Sequence, residues 1–273
     1  MSSQGEHFAA TDLACADAGA YIAVGDEEKI FRAAYRRRLP VLLKGPTGVG
    51  KTRFVEHMAA ELGRPLVTVA CHEDLTAADL VGRYILKGSE TVWIDGPLTE
   101  AVKRGAICYL DEVVEARSDT IVVLHPVTDH RRELHVERLG EVYRAPAEFM
   151  LVMSYNPGYQ TLLKDLKPST RQRMVAIEFG FPTPEVEVRV LRDLYGIDET
   201  LALDLVRLGN GIRRLDTPGL TEVASTRALI AAGLLAKEGL DPRTAAVSTL
   251  AMALSDDADV IEGLTRLIDQ YLA

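Results

Sequence analysis

The sequence predicts an α/β chain: a doubly wound, mainly parallel sheet followed by a smaller all-helical domain. Three observations carry this. Short, unbroken apolar runs alternate with helical stretches up to about Phe181. From Glu185 to Ala273 the pattern is helical almost throughout. Between the first apolar run and the first long helix lies Gly45-Pro46-Thr47-Gly48-Val49-Gly50-Lys51-Thr52, a complete G-x-x-x-x-G-K-[ST].

Taken in order, the first twenty or so residues are Ala-rich and polar and are expected to wrap onto the core or fray. Gly25-Asp26-Glu27-Glu28 opens a helix with Ile30, Phe31, Ala34 and Tyr35 on its apolar side. Its acidic start and the Arg36-Arg37-Arg38 end both suit the helix dipole. The apolar runs Val41–Leu43, Leu66–Ala70, Ala106–Leu110, Phe149–Ser154 and Val175–Phe179 read as strands. Their continuous rather than alternating hydrophobicity predicts cover on both faces, as in a parallel sheet. Thr52–Leu62, Leu98–Arg104 and Ser118–Leu124 read as the helices between them. A boundary is expected near residue 182, dividing an α/β core (1–182) from a helical region (183–273). Within the latter, Gly196, Gly209-Asn210-Gly211, Pro218-Gly219 and Gly239-Leu240-Asp241-Pro242 are expected to break the helices.

Composition narrows the function. The chain has 273 residues, with 31 Lys and Arg against 40 Asp and Glu, a formal charge of −9. An acidic balance argues against general nucleic-acid binding, which needs a dense basic surface. Three cysteines, Cys15, Cys71 and Cys108, make no disulfide framework and suit a reducing compartment. With no signal-like start and no apolar run near the roughly 20 residues that span a bilayer, the expected location is the cytoplasm. His125, His130 and His135 recur every five residues, and Cys71-His72-Glu73-Asp74 groups further donors. Neither has zinc spacing, so no metal site is expected there.

The Gly45–Thr52 loop sits between strand and helix, as a phosphate site requires. Glycines let backbone N–H groups curl around phosphates, and the helix N-terminus adds partial positive charge. Lys51 is placed for the β- and γ-phosphates and the Thr52 hydroxyl for Mg²⁺. Sixty residues after Lys51, Asp111 and Glu112 end an apolar strand. Ligands are met at the carboxyl ends of parallel strands. Asp111 is therefore the candidate to hold Mg²⁺ through its water shell, and Glu112 the general base for an attacking water. Asn156 ends the next strand, where its amide would position that water or the γ-phosphate, although Asn before Pro also starts turns. Arg171 and Arg173 precede the last strand, and Arg227 opens a helix capped by Ser225 or Thr226.

In this order the motifs resemble the AAA+ P-loop ATPases of the MoxR group. Gly45–Thr52 looks like Walker A, Asp111-Glu112 like Walker B and Asn156 like sensor 1. Arg171 or Arg173 looks like the arginine finger and Arg227 like sensor 2. Thr68–Thr76, Ala78–Tyr84, Cys108–Arg117 and Ser154–Gln160 place the resemblance in the CbbQ/NorQ/NirQ subfamily. Ile107–Leu110 and Asp129-His130-Arg131-Arg132 incline it to the CbbQ type. The resemblance implies ATP and Mg²⁺ bound between the subunits of a homo-hexamer, with a helical lid. It implies a helix-2 insertion at Tyr84–Asp95, turning at Lys87-Gly88-Ser89-Glu90. A hairpin before sensor 1 is implied at Glu133–Val136 and Glu141–Arg144. Trp93, in the insertion, either touches a client or anchors the hairpin. CbbQ proteins act with CbbO, a von Willebrand A-domain adaptor, to free rubisco of inhibitory sugar phosphates, in some cases at the carboxysome. NorQ and NirQ work with a similar partner to mature nitric oxide reductase. A nucleotide-gated scaffold with little turnover is the competing class.

Overall fold

A computed structural model describes residues 20–157, 166–215 and 223–272. The stretch before Ala20 with Cys15, the segment Gly158-Tyr159-Gln160 and the Pro218-Gly219 break lie outside the described residues. Among those described, no helix is long and apolar enough to cross a membrane.

The α/β part runs α1 (Glu27–Arg36), β1 (Val41–Lys44), α2 (Lys51–Glu61), β2 (Leu66–Ala70), α3 (Ala77–Val81), β3 (Gly82–Lys87), β4 (Glu90–Asp95) and α4 (Pro97–Arg104). It continues through β5 (Ile107–Asp111), α5 (Ser118–Val122), α6 (His125–Thr128), β6 (Glu133–Val136), β7 (Glu141–Arg144), β8 (Met150–Tyr155), α7 (Pro168–Arg171) and β9 (Val175–Glu178). The five expected strands form one parallel sheet in the order β2-β5-β8-β1-β9. Its two faces carry separate apolar layers. Val41 and Leu43 pack with Phe31 and Phe54 of α1 and α2, whereas Leu42 packs on the opposite side with Leu80, Leu98 and Leu134. This alternation within one continuous apolar run is what double winding requires. The expectation of full burial holds for β5 and β8 but not for β2 and β9, where only one residue each is buried. Those two are the edge strands, with a neighbour on one side only.

Two antiparallel hairpins decorate the core. β3 and β4 pair Tyr84 with Trp93 and Ile85 with Val92, between the helical pieces α3 and α4. The pieces stay joined: Gly96 N–H donates to the Val81 carbonyl at 3.0 Å and Thr99 Oγ1 to the same oxygen at 2.6 Å. β6 and β7 form the second hairpin, and the Tyr84 hydroxyl reaches the Arg138 carbonyl beside it at 3.5 Å.

Every element described beyond β9 is helical: α8 (Pro184–Arg189), α9 (Glu199–Arg213), α10 (Thr226–Lys237), α11 (Pro242–Ala246), α12 (Met252–Leu254) and α13 (Ala258–Tyr271). They enclose their own core around Leu205, Leu208, Leu229, Leu250, Leu264 and Ile268. One expectation is corrected here. Gly209-Asn210-Gly211 does not break a helix; α9 runs straight through it. A Cβ on Gly209 would fall 2.9 Å from Leu229 of α10, so the glycine serves close helix packing rather than a turn. Asn210 stays helical by donating its side-chain amide to the Val206 carbonyl at 2.9 Å.

Candidate active site

β5, β8 and β1 are neighbours in the sheet, so the residues following their carboxyl ends meet at one edge. Gly45–Thr52 follows β1, Asp111 and Glu112 end or follow β5, and Asn156 follows β8. A cavity of about 460 Å³ opens there, a volume ordinary for a small-molecule site.

The phosphate-loop backbone is packed where side chains would not fit. A Cβ on Gly45 would lie 2.2 Å from the Phe179 carbonyl oxygen. Gly48, at φ +75°, would place one 2.6 Å from the Ser225 Cβ, so the helical region abuts the loop directly. Lys51 is 5% exposed; its Nζ donates to the Gly45 and Pro46 carbonyls at 2.8 and 2.9 Å and lies 3.9 Å from Glu112 Oε1. Burial draws its ammonium pKa down, against the pull of Glu112 and Asp111, and the charge of Arg227 lowers it further. Two cations facing one space, with the N-terminus of α2 beside them, form a cradle for a polyphosphate.

Asp111 is held from both sides. Its Oδ1 accepts from the Tyr109 hydroxyl at 2.7 Å and from Ser154 Oγ at 2.5 Å, while Thr52 Oγ1 lies 3.3 Å from Oδ2. Ser154, fully buried, also accepts the Glu112 backbone N–H at 3.2 Å. A carboxylate oxygen and a hydroxyl, side by side at the cavity, are hard donors of the kind Mg²⁺ takes. Glu112 adopts the left-handed conformation, φ +52°, which non-glycine residues enter at a cost. Burial raises its carboxyl pKa, Lys51 opposes this, and the charge of Asp111 adds to it. A carboxylate so tuned is suited to taking a proton. Asn156, 7% exposed, donates from Nδ2 to Thr47 Oγ1 at 3.4 Å.

The cavity also has an apolar lining, Tyr21, Ile22, Val24, Pro182 and Ile230 among others. Glu27 fastens the strand of backbone that supplies the first three. It accepts from the Tyr21 hydroxyl at 2.9 Å and from the N–H groups of Val24 and Gly25 at 2.7 Å each. Arg227 lines the cavity from the helical region, and Ser225, not Thr226, caps α10 by accepting from the Ala228 N–H at 3.2 Å. Arg171 and Arg173 do not line it. Arg173 instead donates to the Ser169 carbonyl at 2.5 Å.

Sequence reasoning missed Tyr109, Ser154 and Glu27. The first two had a signal: each is a hydroxyl in an otherwise apolar strand, two residues before Asp111 and Asn156 respectively. Glu27 had none, because nothing local says that a first-turn glutamate folds back on the preceding loop.

Comparison with known proteins gives this geometry a context. Residues 40–174 match the AAA domain (dynein-related subfamily), and residues 187–271 match the CbbQ/NirQ/NorQ C-terminal family. The chain is 59% identical to protein NorQ of Paracoccus denitrificans over 92% of its own length and 93% of that protein. It is 56% identical to the denitrification regulatory protein NirQ of Pseudomonas aeruginosa, covering 93% and 97%. Against protein CbbQ of Hydrogenophilus thermoluteolus it is 54% identical, covering 88% and 90%. Among solved structures, a RuvB variant from Thermotoga maritima superposes with a TM-score of 0.55 at 16% identity, covering 90% of this chain and 71% of that one; that likeness concerns the fold.

Proposed function

The chain belongs to the CbbQ/NirQ/NorQ family and is an AAA-type ATPase; from that premise we propose that it forms a homo-hexameric ring that spends ATP to remodel a client through a von Willebrand A-domain adaptor. One juxtaposition carries the reading. Lys51 Nζ stands 3.9 Å from Glu112 Oε1, while Thr52 and Asp111 line the same cavity. In this reading Gly45, Pro46, Thr47, Gly48, Val49, Gly50 and Lys51 hold the phosphates. Glu112 takes the proton of the attacking water, Asn156 orients that water, and Arg227 meets the γ-phosphate from the lid. Thr52 and Asp111 would hold Mg²⁺, partly through water, and the ion would supply charge neutralisation at the phosphates. Arg171 or Arg173 acts from the neighbouring subunit, which is consistent with their lying outside this chain's own cavity.

For the client we favour a denitrification enzyme, nitric oxide reductase. The 59% and 56% identities to NorQ and to one NirQ support it; a second NirQ and CbbQ both stand at 54%. The second reading, a CbbQ-type motor that reactivates rubisco with CbbO, is supported by that CbbQ identity and by the Ile107–Leu110 and Asp129–Arg132 stretches. Both place the protein in the cytoplasm, the second with a carboxysome association. The charge of −9 argues against nucleic acid as the partner.

The test adds the purified chain, Mg-ATP and a von Willebrand A-domain adaptor of the same organism to immature nitric oxide reductase and, separately, to sugar-phosphate-inhibited rubisco. Gain of reductase activity alone is expected. Rescue of rubisco alone selects the second reading. Rescue of neither, with sedimentation as a monomer at saturating ATP, removes the ring motor.

Ser154→Ala tests how the metal-holding carboxylate is set. It takes one donor from Asp111 Oδ1 and a side-chain acceptor from the Glu112 N–H. Turnover should fall about tenfold, with more Mg²⁺ needed for half-maximal rate, as expected when catalytic geometry loosens. An unchanged Mg²⁺ titration and unchanged turnover would show that the two carboxylates need no such support.

A further inference from the structure

The helical region contains a buried ionic cluster that the reading above does not use. Glu187 of α8 is fully buried. Its Oε1 and Oε2 accept from the two terminal nitrogens of Arg213, at the end of α9, at 2.7 and 2.8 Å. Thr226 Oγ1, the first residue of α10, donates to the same Oε1 at 2.6 Å. Arg213 completes its contacts by donating from Nε to the Ala224 carbonyl at 2.7 Å and by stacking on Phe181, 4.1 Å from the ring centroid. Four segments thus meet around one ion pair: the stretch joining sheet to helices, α8, α9 and the start of α10.

Burying a carboxylate and a guanidinium is costly, and apolar residues of similar volume would serve stability as well or better. What an ionic cluster adds is direction. A bidentate pair fixes the Arg213 plane, and the Thr226 hydroxyl is tied to one of its oxygens. Thr226, which itself lines the cavity, lies between Ser225 and Arg227, two residues that face the phosphate loop. Ser225 lies where a Cβ on Gly48 would fall, and Arg227 lines the cavity. A shift of the α10 start of about 1 Å would therefore move the Arg227 Cα by a similar distance, enough to matter for a group positioned on a reacting phosphate.

We propose that Glu187, Arg213 and Thr226 form a latch that sets the position of Arg227 over the phosphate loop, with Thr226 as its moving contact. They are positioning residues: Glu187 and Arg213 do not line the cavity, and the hydroxyl of Thr226, which does, is committed to Glu187, so their effect passes through Arg227. The latch rests on the proposed role of Arg227, and the experiment separates the two.

Thr226→Val keeps side-chain volume and leaves the Glu187–Arg213 pair whole, so the helices should stay folded. Steady-state ATPase is measured for Thr226→Val, Thr226→Ser, Arg227→Ala and the Thr226→Val/Arg227→Ala pair, with thermal melting of each. We expect Thr226→Val to lower kcat about tenfold with KM changed less than twofold, a cost of about 1.4 kcal/mol at the transition state. Thr226→Ser should restore most of the rate. In the Arg227→Ala background, Thr226→Val should have no further effect, because its effect is already lost. Additive losses in the pair, or wild-type turnover by folded Thr226→Val, overturn the latch while leaving Arg227 in place. Wild-type turnover by Arg227→Ala removes both.

Discussion

Glu112→Gln should bind ATP within about threefold of the parent while losing hydrolysis by about 10²–10³-fold, in the range a positioned general base contributes. The substitution keeps the shape of the side chain and the left-handed backbone at φ +52°. It removes the group that accepts the proton and leaves Lys51, Thr52 and Asp111 in the cavity. Fluorescent-nucleotide titration and phosphate release measure the two halves. Unchanged phosphate release would sink the hydrolytic assignment of Glu112. The pH profile gives a second reading of the same residue. Burial raises the Glu112 carboxyl above the usual carboxylate range, against the opposing charge of Lys51. Protonation disables a base, so turnover should decline on the acid side at a higher pH than an exposed glutamate would impose. That limb should vanish from whatever rate Glu112→Gln retains.

Glu187→Ala carries the largest expected effect on stability. It leaves the Arg213 guanidinium, with a side chain 8% exposed, buried without its carboxylate. Breaking a buried pair from one side costs about 3–5 kcal/mol. Urea denaturation followed by far-ultraviolet circular dichroism should show that loss, and the paired change Glu187→Leu with Arg213→Met should recover most of it. A loss below about 1 kcal/mol in Glu187→Ala would mean that water reaches the cluster freely. The surface pairs offer a contrast. Lys29–Asp26 and Arg266–Glu262 lie in solvent, and exposed pairs of this kind contribute little.

The parallel sheet was legible because its signals are local. Each of the five apolar runs is continuous, each lies beside helical sequence, and the Gly45–Thr52 spacing is self-contained. Asp111 and Glu112 could be singled out from a strand end sixty residues after Lys51, and the structure brings them to the same cavity as Lys51, Thr52 and Arg227. The insertion turning at Lys87–Glu90 and the hairpin of Glu133–Val136 with Glu141–Arg144 were implied by the family resemblance, and both are present. Edge exposure of β2 and β9 was not readable, because strand order is a property of the assembled sheet.

By itself, the sequence determined which segments become strand, helix and phosphate loop, since periodicity and turn chemistry act over a few residues. Only the tertiary structure decided what the remaining polar groups and glycines do. Gly209 looked like a helix break and proved to be the place where α10 comes close. Thr226 was one of two candidate caps and instead binds a carboxylate 39 residues away in the chain. Ser154 and Tyr109 were part of apolar runs and became the partners of Asp111. A buried hydroxyl or carboxylate must find a partner, but which one it finds depends on packing between elements far apart in the chain. That choice is made when the layers close.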